Sequence, residues 1–315
     1  MRWEDFRQSA NVEDRRGDEG GGGGIGLPFG GGGGLGVGTV IVLGLIGYML
    51  GIDPRILIGG AEMAGIGRQT PQYEQREPAK PRSQNGAGAP TDQTGRFVSA
   101  VLAQNEDVWS EILPEQKNIR FKAAPLVLFS GATRSGCGAA QSAMGPFYCP
   151  TDGKIYLDTS FFNDMKAKLG GGGDFAYAYV IAHEMAHHIE NLLGVLPRVQ
   201  RAQQQATSQA QSNRLSVGVE LMADCLAGVW AANADRKWRI LEQGDIEKAI
   251  NTASAIGDDR LQKASRGYAV PDSFTHGSSA QRVAWFQKGL KTGKIDACNT
   301  FANTAANQQG DHARH

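Results

Sequence analysis

The sequence lacks an excess of either charge, because 32 basic residues balance 32 acidic ones. Domains that bind nucleic acids usually carry a basic surface, so the composition predicts no nucleic-acid partner. The chain also lacks a phosphate-binding loop: residues 20–34 are mostly glycine, but no Gly-Lys-Ser/Thr ending follows them. These absences argue against a protein that binds nucleic acids or nucleotide phosphates.

Long apolar runs are scarce, and one of them stands out. Residues 35–52 contain no charge across 18 positions, which is near the minimum length for a membrane-spanning helix. They lie too far along the chain for a usual secretory signal, so we expect a transmembrane anchor. A flexible or buried apolar segment is the alternative, because five glycines weaken the helix. Gly47 and Gly51 have a spacing that can pack two such helices, so a homo-oligomer could form through the anchor.

Composition divides the rest of the chain. Residues 1–34 are predicted to be a glycine-rich flexible segment. Residues 53–94 are predicted to be a linker, since proline, glycine and glutamine leave too little apolar content for a core. Residues 95–302 are long enough for one domain, which we expect to begin near Gly95. Residues 303–315 are predicted to be a polar tail.

The chain has few histidines, six in all, and two of them form a short motif. In HEMAH, His183 and His187 lie four residues apart on one helical face, and Glu184 lies beside the first. The helix is predicted to begin at Asp174, as its N-cap, and to end near Gly194. Its apolar sequence predicts burial, and buried imidazoles need a partner such as a zinc ion. The alternative is one satisfied core histidine with a histidine pair at the surface.

A catalytic zinc ion takes three protein ligands and leaves one position open. The sequence lacks the glycine and the histidine that would complete a metzincin motif, and has Glu190 and Leu193 there instead. His188 points about 100° away from its neighbour on the helix. Another ligand is therefore needed.

Two acids in a second apolar segment, VELMADCLAG, are candidates for the missing metal ligand. Glu220 and Asp224 share one helical face there. Glu220 is predicted to be the third metal ligand. Asp224 is predicted to accept the outer N–H of a zinc-bound imidazole and to fix the orientation of that ring. The alternative is an ordinary amphipathic helix with solvated acids.

The remaining pattern predicts an α+β fold. Helices are expected over residues 96–112, ended by Pro114, and over residues 245–256 and 279–290, capped by Asp245 and Ser278. Strands are expected at residues 126–129, 147–149 and 154–157, and they should form a small antiparallel sheet. An edge of that sheet could hold an extended peptide, although plain structural pairing is an equal alternative.

These segments together resemble the YpfJ-like family of bacterial neutral zinc metallopeptidases over nearly the full length. The resemblance rests on the opening MRWE, the glycine-rich N-terminus, FYCP at residues 147–150, HEMAHH, VELMADCLAG and THGSSAQR at residues 275–282. HEMAH followed by ExxxD looks like the gluzincin arrangement. It implies a mainly helical, zincin-like peptidase domain with a small antiparallel sheet, preceded by one transmembrane helix.

Two further residues are candidates on chemical type. His276 could act in catalysis by stabilising the oxyanion, and Arg282 could do the same, since zinc peptidases commonly use such a group. A capping or structural role is the alternative for both. Tyr177, Tyr179 and Tyr268 cannot be ranked from the sequence.

The sequence is poor in cysteine, with four residues that allow three full pairings. The simplest scheme joins Cys137 to Cys149 and Cys225 to Cys298. Such pairing would place the domain in an oxidising compartment, whereas four reduced buried thiols would fit the cytoplasm. With the resemblance, it favours a bacterial inner-membrane protein whose domain lies on the periplasmic or extracellular side.

We therefore predict a membrane-anchored zinc endopeptidase acting on peptide or protein substrates. Glu184 would serve as the general base toward a zinc-activated water molecule. The alternative is a catalytically idle zinc-binding scaffold or interaction protein at the membrane.

Overall fold

A computed structural model describes residues 1–17, 90–168 and 172–302. The predicted anchor at residues 35–52, most of the predicted linker and the predicted tail lie outside these ranges. The helices in the described ranges are α1 (Gln93–Lys117), α2 (Ser160–Lys168), α3 (Asp174–Leu192), α4 (Val195–Gln204), α5 (Gln209–Trp238), α6 (Asp245–Ala255), α7 (Asp258–Arg266) and α8 (Ser279–Thr292).

The strands form one four-stranded sheet and one hairpin. They are β1 (Val12–Asp14), β2 (Leu126–Phe129), β3 (Ala132–Ser135), β4 (Gly138–Gln141), β5 (Phe147–Cys149) and β6 (Lys154–Asp158). The sheet order is β1-β2-β6-β5, while β3 and β4 pair only with each other. The β5–β6 pair is antiparallel as predicted, but β1–β2 and β2–β6 are parallel. The expectation of an antiparallel sheet is therefore wrong for this part, because α1 and the β3–β5 segment act as crossovers.

The N-terminal residues belong to the folded domain. Met1, Trp3 and Val12 are buried in the main hydrophobic core. The Trp3 ring packs edge-on against Phe97 of α1, with ring centroids 5.3 Å apart, and its Nε1–H donates to Asp174 at the start of α3. The predicted flexible segment is thus wrong for residues 1–17, and the domain does not begin at Gly95. The short, polar-interrupted sequence of this stretch carries no strong strand signal, which is why composition misassigned it.

Helices α3 and α5 pack against each other at the centre of the molecule, and α8 covers α5. Two glycines permit the close approach of α8. A Cβ on Gly289 would lie 1.8 Å from the carbonyl oxygen of Cys225, and one on Gly228 would lie 2.2 Å from that of Phe286. Because no side chain fits between these backbones, α8 is held directly over the face of α5 that carries the predicted acids.

Helix α5 is long and apolar enough to cross a membrane by composition, and no other helix in the described ranges passes that test. It is largely buried within the domain, and its surroundings are protein side chains of α3, α4 and α8. We interpret it as a core helix.

Several predicted boundaries need adjustment. Helix α1 continues through Pro114 to Lys117, because a proline in the last turn removes a single helical hydrogen bond. Asp174 and Asp245 are first helical residues and not caps, since Gly173 and Gly244 hold the N-cap positions. Ser278 caps α8 as predicted.

The cysteines pair as predicted. Cys137 is bonded to Cys149 and Cys225 to Cys298. The first bridge attaches the β3–β4 hairpin to β5, and the second attaches the end of the domain to α5.

Candidate metal centre

Three buried side chains from two helices converge on one point. His183 and His187 lie one turn apart on α3, and Glu220 faces them from α5. Their ligand atoms all lie within 4.8 Å of one another. Nε2 of His183 is 3.2 Å from Oε2 of Glu220, and Nε2 of His187 is 3.7 Å from Oε1. Each histidine therefore directs the same ring nitrogen toward the shared carboxylate.

The electrostatics of this cluster suit a cation. Burial alone would raise the pKa of Glu220, but the hydrogen bond from His183 and the charges of His187 and His276 hold it well below its usual range. Burial lowers the pKa of His183, yet Asp224 and Glu220 raise it to about 10. The site thus attracts positive charge, which a divalent ion would supply in place of protons. Two imidazoles and one carboxylate are a donor set that zinc accepts.

The outer nitrogen of His183 is held by an acid on α5. Its Nδ1 lies 3.0 Å from Oδ1 of Asp224. Asp224 is fully buried and also accepts a hydrogen bond from the Tyr179 hydroxyl at 2.5 Å. Arg282 of α8 donates to both of its oxygens, at 2.8 Å and 3.0 Å. This matches the predicted contact of Asp224 with a ligand ring, and it pairs Arg282 with the same carboxylate.

The outer nitrogen of His187 is held by a second acid, Glu190. Nδ1 of His187 lies 2.8 Å from Oε2 of Glu190, one turn further along α3. Glu190 is fully buried, and its Oε1 has no hydrogen-bond partner among the described residues. Burial raises the pKa of Glu190 to about 7, against the opposing effect of His187. Each metal-facing histidine therefore has its own carboxylate behind it, which fixes ring orientation.

Glu184 lies beside this cluster and bonds to neither histidine. It is buried on α3, near the backbone of Tyr148 in β5. Burial raises the pKa of Glu184, while the charges of His187 and His183 oppose the increase. A carboxylate in this setting binds a proton more readily than one in water, which is the property required of a general base.

His276 lies close enough to contribute to the electrostatics of Glu220. It is buried, and its Nδ1 faces Oδ1 of Asp258 at 3.2 Å and the Thr275 hydroxyl at 3.0 Å. The backbone N–H groups of residues 275–277 also donate to Asp258. The loop is thereby fixed, with His276 at the border of the site.

His188, in contrast, has a structural role. Its Nε2 bonds to the carbonyl oxygen of Lys122 at 2.6 Å, and its Nδ1 bonds to the Tyr148 hydroxyl at 3.1 Å. Both ring nitrogens are therefore used, and the ring ties α3 to the chain before β2 and to β5.

Sequence reasoning missed three of these partners: Glu190, Tyr179 and Asp258. Glu190 has a recognisable signal, since it follows His187 at i+3, where helical side chains meet. Tyr179 also has one, since it precedes His183 by four residues on α3, whereas Asp258 begins α7 far along the chain and no local spacing identifies it.

Two imidazoles of an HExxH helix, a glutamate from a second helix and an acid behind each imidazole define a centre of the zinc-hydrolase class. Comparison with known families gives a narrower assignment. The family described as "Putative neutral zinc metallopeptidase" matches residues 1–301. The chain belongs to this family, and zinc is accordingly the metal of its site.

Relatives extend over most of the chain. The uncharacterized protein YpfJ of Escherichia coli (strain K12) is 46% identical over 306 residues, which cover 96% of this chain and 100% of the relative. An uncharacterized protein of Mycobacterium tuberculosis (strain H37Rv) is 42% identical over 219 residues, covering 66% of this chain and 69% of the relative. No solved structure matches the chain.

Proposed function

We propose that this protein is a zinc-dependent endopeptidase that hydrolyses peptide bonds in extended polypeptides. One observation carries the proposal: the buried donor set of His183, His187 and Glu220 lies beside a separate buried carboxylate, Glu184, which is not needed to hold a metal. A site built for metal storage alone gains nothing from this fourth group.

The three ligands would hold the ion, with Asp224 and Glu190 orienting the imidazoles. Zinc, when bound, supplies a Lewis acid that polarises the scissile carbonyl and makes water more acidic. Glu184 accepts a proton from water and delivers it to the amine that leaves. Its burial favours proton uptake. His276 is our candidate for stabilising the oxyanion, because it borders Glu220.

The position of β5 supports an extended peptide as substrate. This strand is at one end of the four-stranded sheet, and Tyr148 at its centre lies near Glu184. We infer that a peptide added along the outer edge of β5 would run past the general base. The disulfide from Cys149 to Cys137 fixes the strand to the β3–β4 hairpin, which limits its movement.

Two disulfides support an oxidising compartment, and we place the domain in the periplasm or on the exterior of a bacterial cell. Contact of residues 35–52 with the inner membrane stays a prediction, as does self-association through them.

The competing function is an idle zinc-binding scaffold. Glu184→Gln distinguishes the two, because the amide has the same shape but cannot accept the proton from water. We expect the wild type to cut members of a panel of unfolded proteins and extended peptides. The variant should keep its zinc and its fold but lose at least about a hundredfold in kcat/KM.

Glu247→Gln is the matched control, since Glu247 is exposed on α6. It should cut as fast as the wild type. A fully zinc-loaded wild type that cuts nothing in the panel, or a Glu184→Gln variant with undiminished cleavage, would favour the scaffold.

A further inference from the structure

The N-terminal residues are built into the same sheet as the rest of the domain. In the β1–β2 pair, Val12, Glu13 and Asp14 lie opposite residues 126–128 in parallel register. The backbone N–H of Leu126 also donates to the carbonyl oxygen of Asn11, and that of Arg15 donates to Leu128. The main-chain pairing therefore extends beyond both ends of β1.

Side chains attach this segment to α1 as well. Glu106 of α1 accepts hydrogen bonds from Ser9 at 2.6 Å, from Asn11 at 2.7 Å and from Arg7 at 3.0 Å. Ser9 and Glu106 are both buried. A buried carboxylate such as that of Glu106 requires hydrogen-bond partners, and residues 7–11 supply them. The N-terminal segment is therefore part of the folded core.

The described residues that flank 18–89 lie next to each other. Arg16 forms ion pairs at 2.5 Å with Asp14 and with Asp92, the N-cap of α1. Gly95 sits so close that a Cβ there would be 2.3 Å from Cβ of Pro90 and 3.0 Å from Nη2 of Arg16. The described residues on either side of 18–89 thus lie within the reach of one ion pair.

This geometry conflicts with a lone transmembrane helix at residues 35–52. One crossing would put residues 1–17 and residues 90–302 on opposite sides of a hydrocarbon layer about 30 Å thick. The β1–β2 hydrogen bonds and the Arg16–Asp92 pair could not then form.

We propose that residues 1–17 and 90–302 fold together on one side of the membrane, so that residues 35–52 do not act as a single-pass anchor.

Cysteine accessibility in cells tests this with the full chain. The four native cysteines are disulfide-bonded, so a single added thiol reports alone. Gln8→Cys places it on the exposed N-terminal segment, and Tyr268→Cys places it on the domain, where the side chain is 62% exposed. A membrane-impermeant maleimide is applied after permeabilising the outer membrane, and again after lysis.

Before lysis, the maleimide should label the thiols of Gln8→Cys and Tyr268→Cys alike: it should label both or neither. Labelling of one with protection of the other would overturn the proposal. A second measurement uses Arg16→Cys with Asp92→Cys and a short bismaleimide cross-linker in cells, with Arg16→Cys plus Tyr268→Cys as the control pair. The first pair should cross-link within one chain at several times the yield of the control. Equal yields would overturn the docking on which the proposal rests.

Discussion

At the scale of single residues, each buried carboxylate near the metal centre has a different role. Glu220 faces both imidazoles, Asp224 holds the outer nitrogen of His183, and Glu190 holds that of His187. Glu184 makes none of these contacts and remains available for proton transfer. Burying four acids in one region is costly unless each is paired, so the arrangement itself indicates a bound cation.

Glu190→Gln should weaken zinc binding by about ten- to a hundredfold without removing any ligand. The amide oxygen can still accept from Nδ1 of His187, but the negative charge that strengthens the ring as a donor is lost. Competition with a fluorescent chelator measures the affinity. Glu115→Gln, at an exposed position of α1, is the control and should bind zinc like the wild type. Equal affinities for the two variants would remove the assigned role of Glu190.

Asp224→Asn should lower the free energy of unfolding even when no zinc is bound. Asp224 is the carboxylate partner of the buried guanidinium of Arg282, and removing one partner of such a pair costs about 3–5 kcal/mol. Tyr179→Phe deletes one hydrogen bond to the same carboxylate and should cost about 1 kcal/mol. Urea unfolding of the metal-free proteins compares the two. A smaller loss for Asp224→Asn than for Tyr179→Phe would contradict this reading.

The metal ligands can be predicted from the sequence because helical spacing is a local property. His183 with His187, and Glu220 with Asp224, each share a face at i and i+4. In the sequence, Glu190 serves only to exclude a metzincin motif. Its i+3 relation to His187 nevertheless predicts the contact that the structure shows. Arg282 was assigned by chemical type, and only the packing of α8 on α5 reveals that it pairs with Asp224.

At the scale of elements, α3 and α5 hold the site, and the N-terminal segment holds the start of α3. An apolar run with the i, i+4 histidines predicts the site-bearing helix, and two short apolar runs predict the antiparallel β5–β6 pair, both correctly. Strand β1 has three residues and no such signal, so its parallel pairing depends on a partner more than a hundred residues away. Non-local pairing of this kind is not encoded in any short window of sequence.

Trp3→Ala tests the importance of that segment. The indole is 7% exposed, packs on Phe97 and donates to Asp174, so its loss should lower the free energy of unfolding by about 3–5 kcal/mol. Because Asp174 begins the metal helix, zinc affinity should fall as well. Thermal unfolding with and without zinc measures both effects. Stability within about 0.5 kcal/mol of the wild type would show that residues 1–17 are not part of the core.

At the scale of the whole molecule, one domain combines a mixed sheet, a buried helical pair and two disulfides around a single metal centre. Cys225–Cys298 joins the end of the domain to α5 at the residue that follows Asp224. Both cysteine pairs agree with the simplest scheme that the sequence allows, in which Cys137 and Cys149 flank a glycine-rich loop and Cys298 ends the domain. The sequence could not predict that residues on either side of 18–89 meet, because that contact is set by the completed sheet.

The central claim is that His183, His187 and Glu220 together hold zinc. Zinc per chain, determined by mass spectrometry on the full-length protein after dialysis, tests it directly. We expect one zinc ion in the wild type and in Glu115→Gln, and a loss of most of the metal in Glu220→Gln, whose amide is a far poorer ligand. Full zinc occupancy in Glu220→Gln, or no zinc in the wild type, would contradict the account.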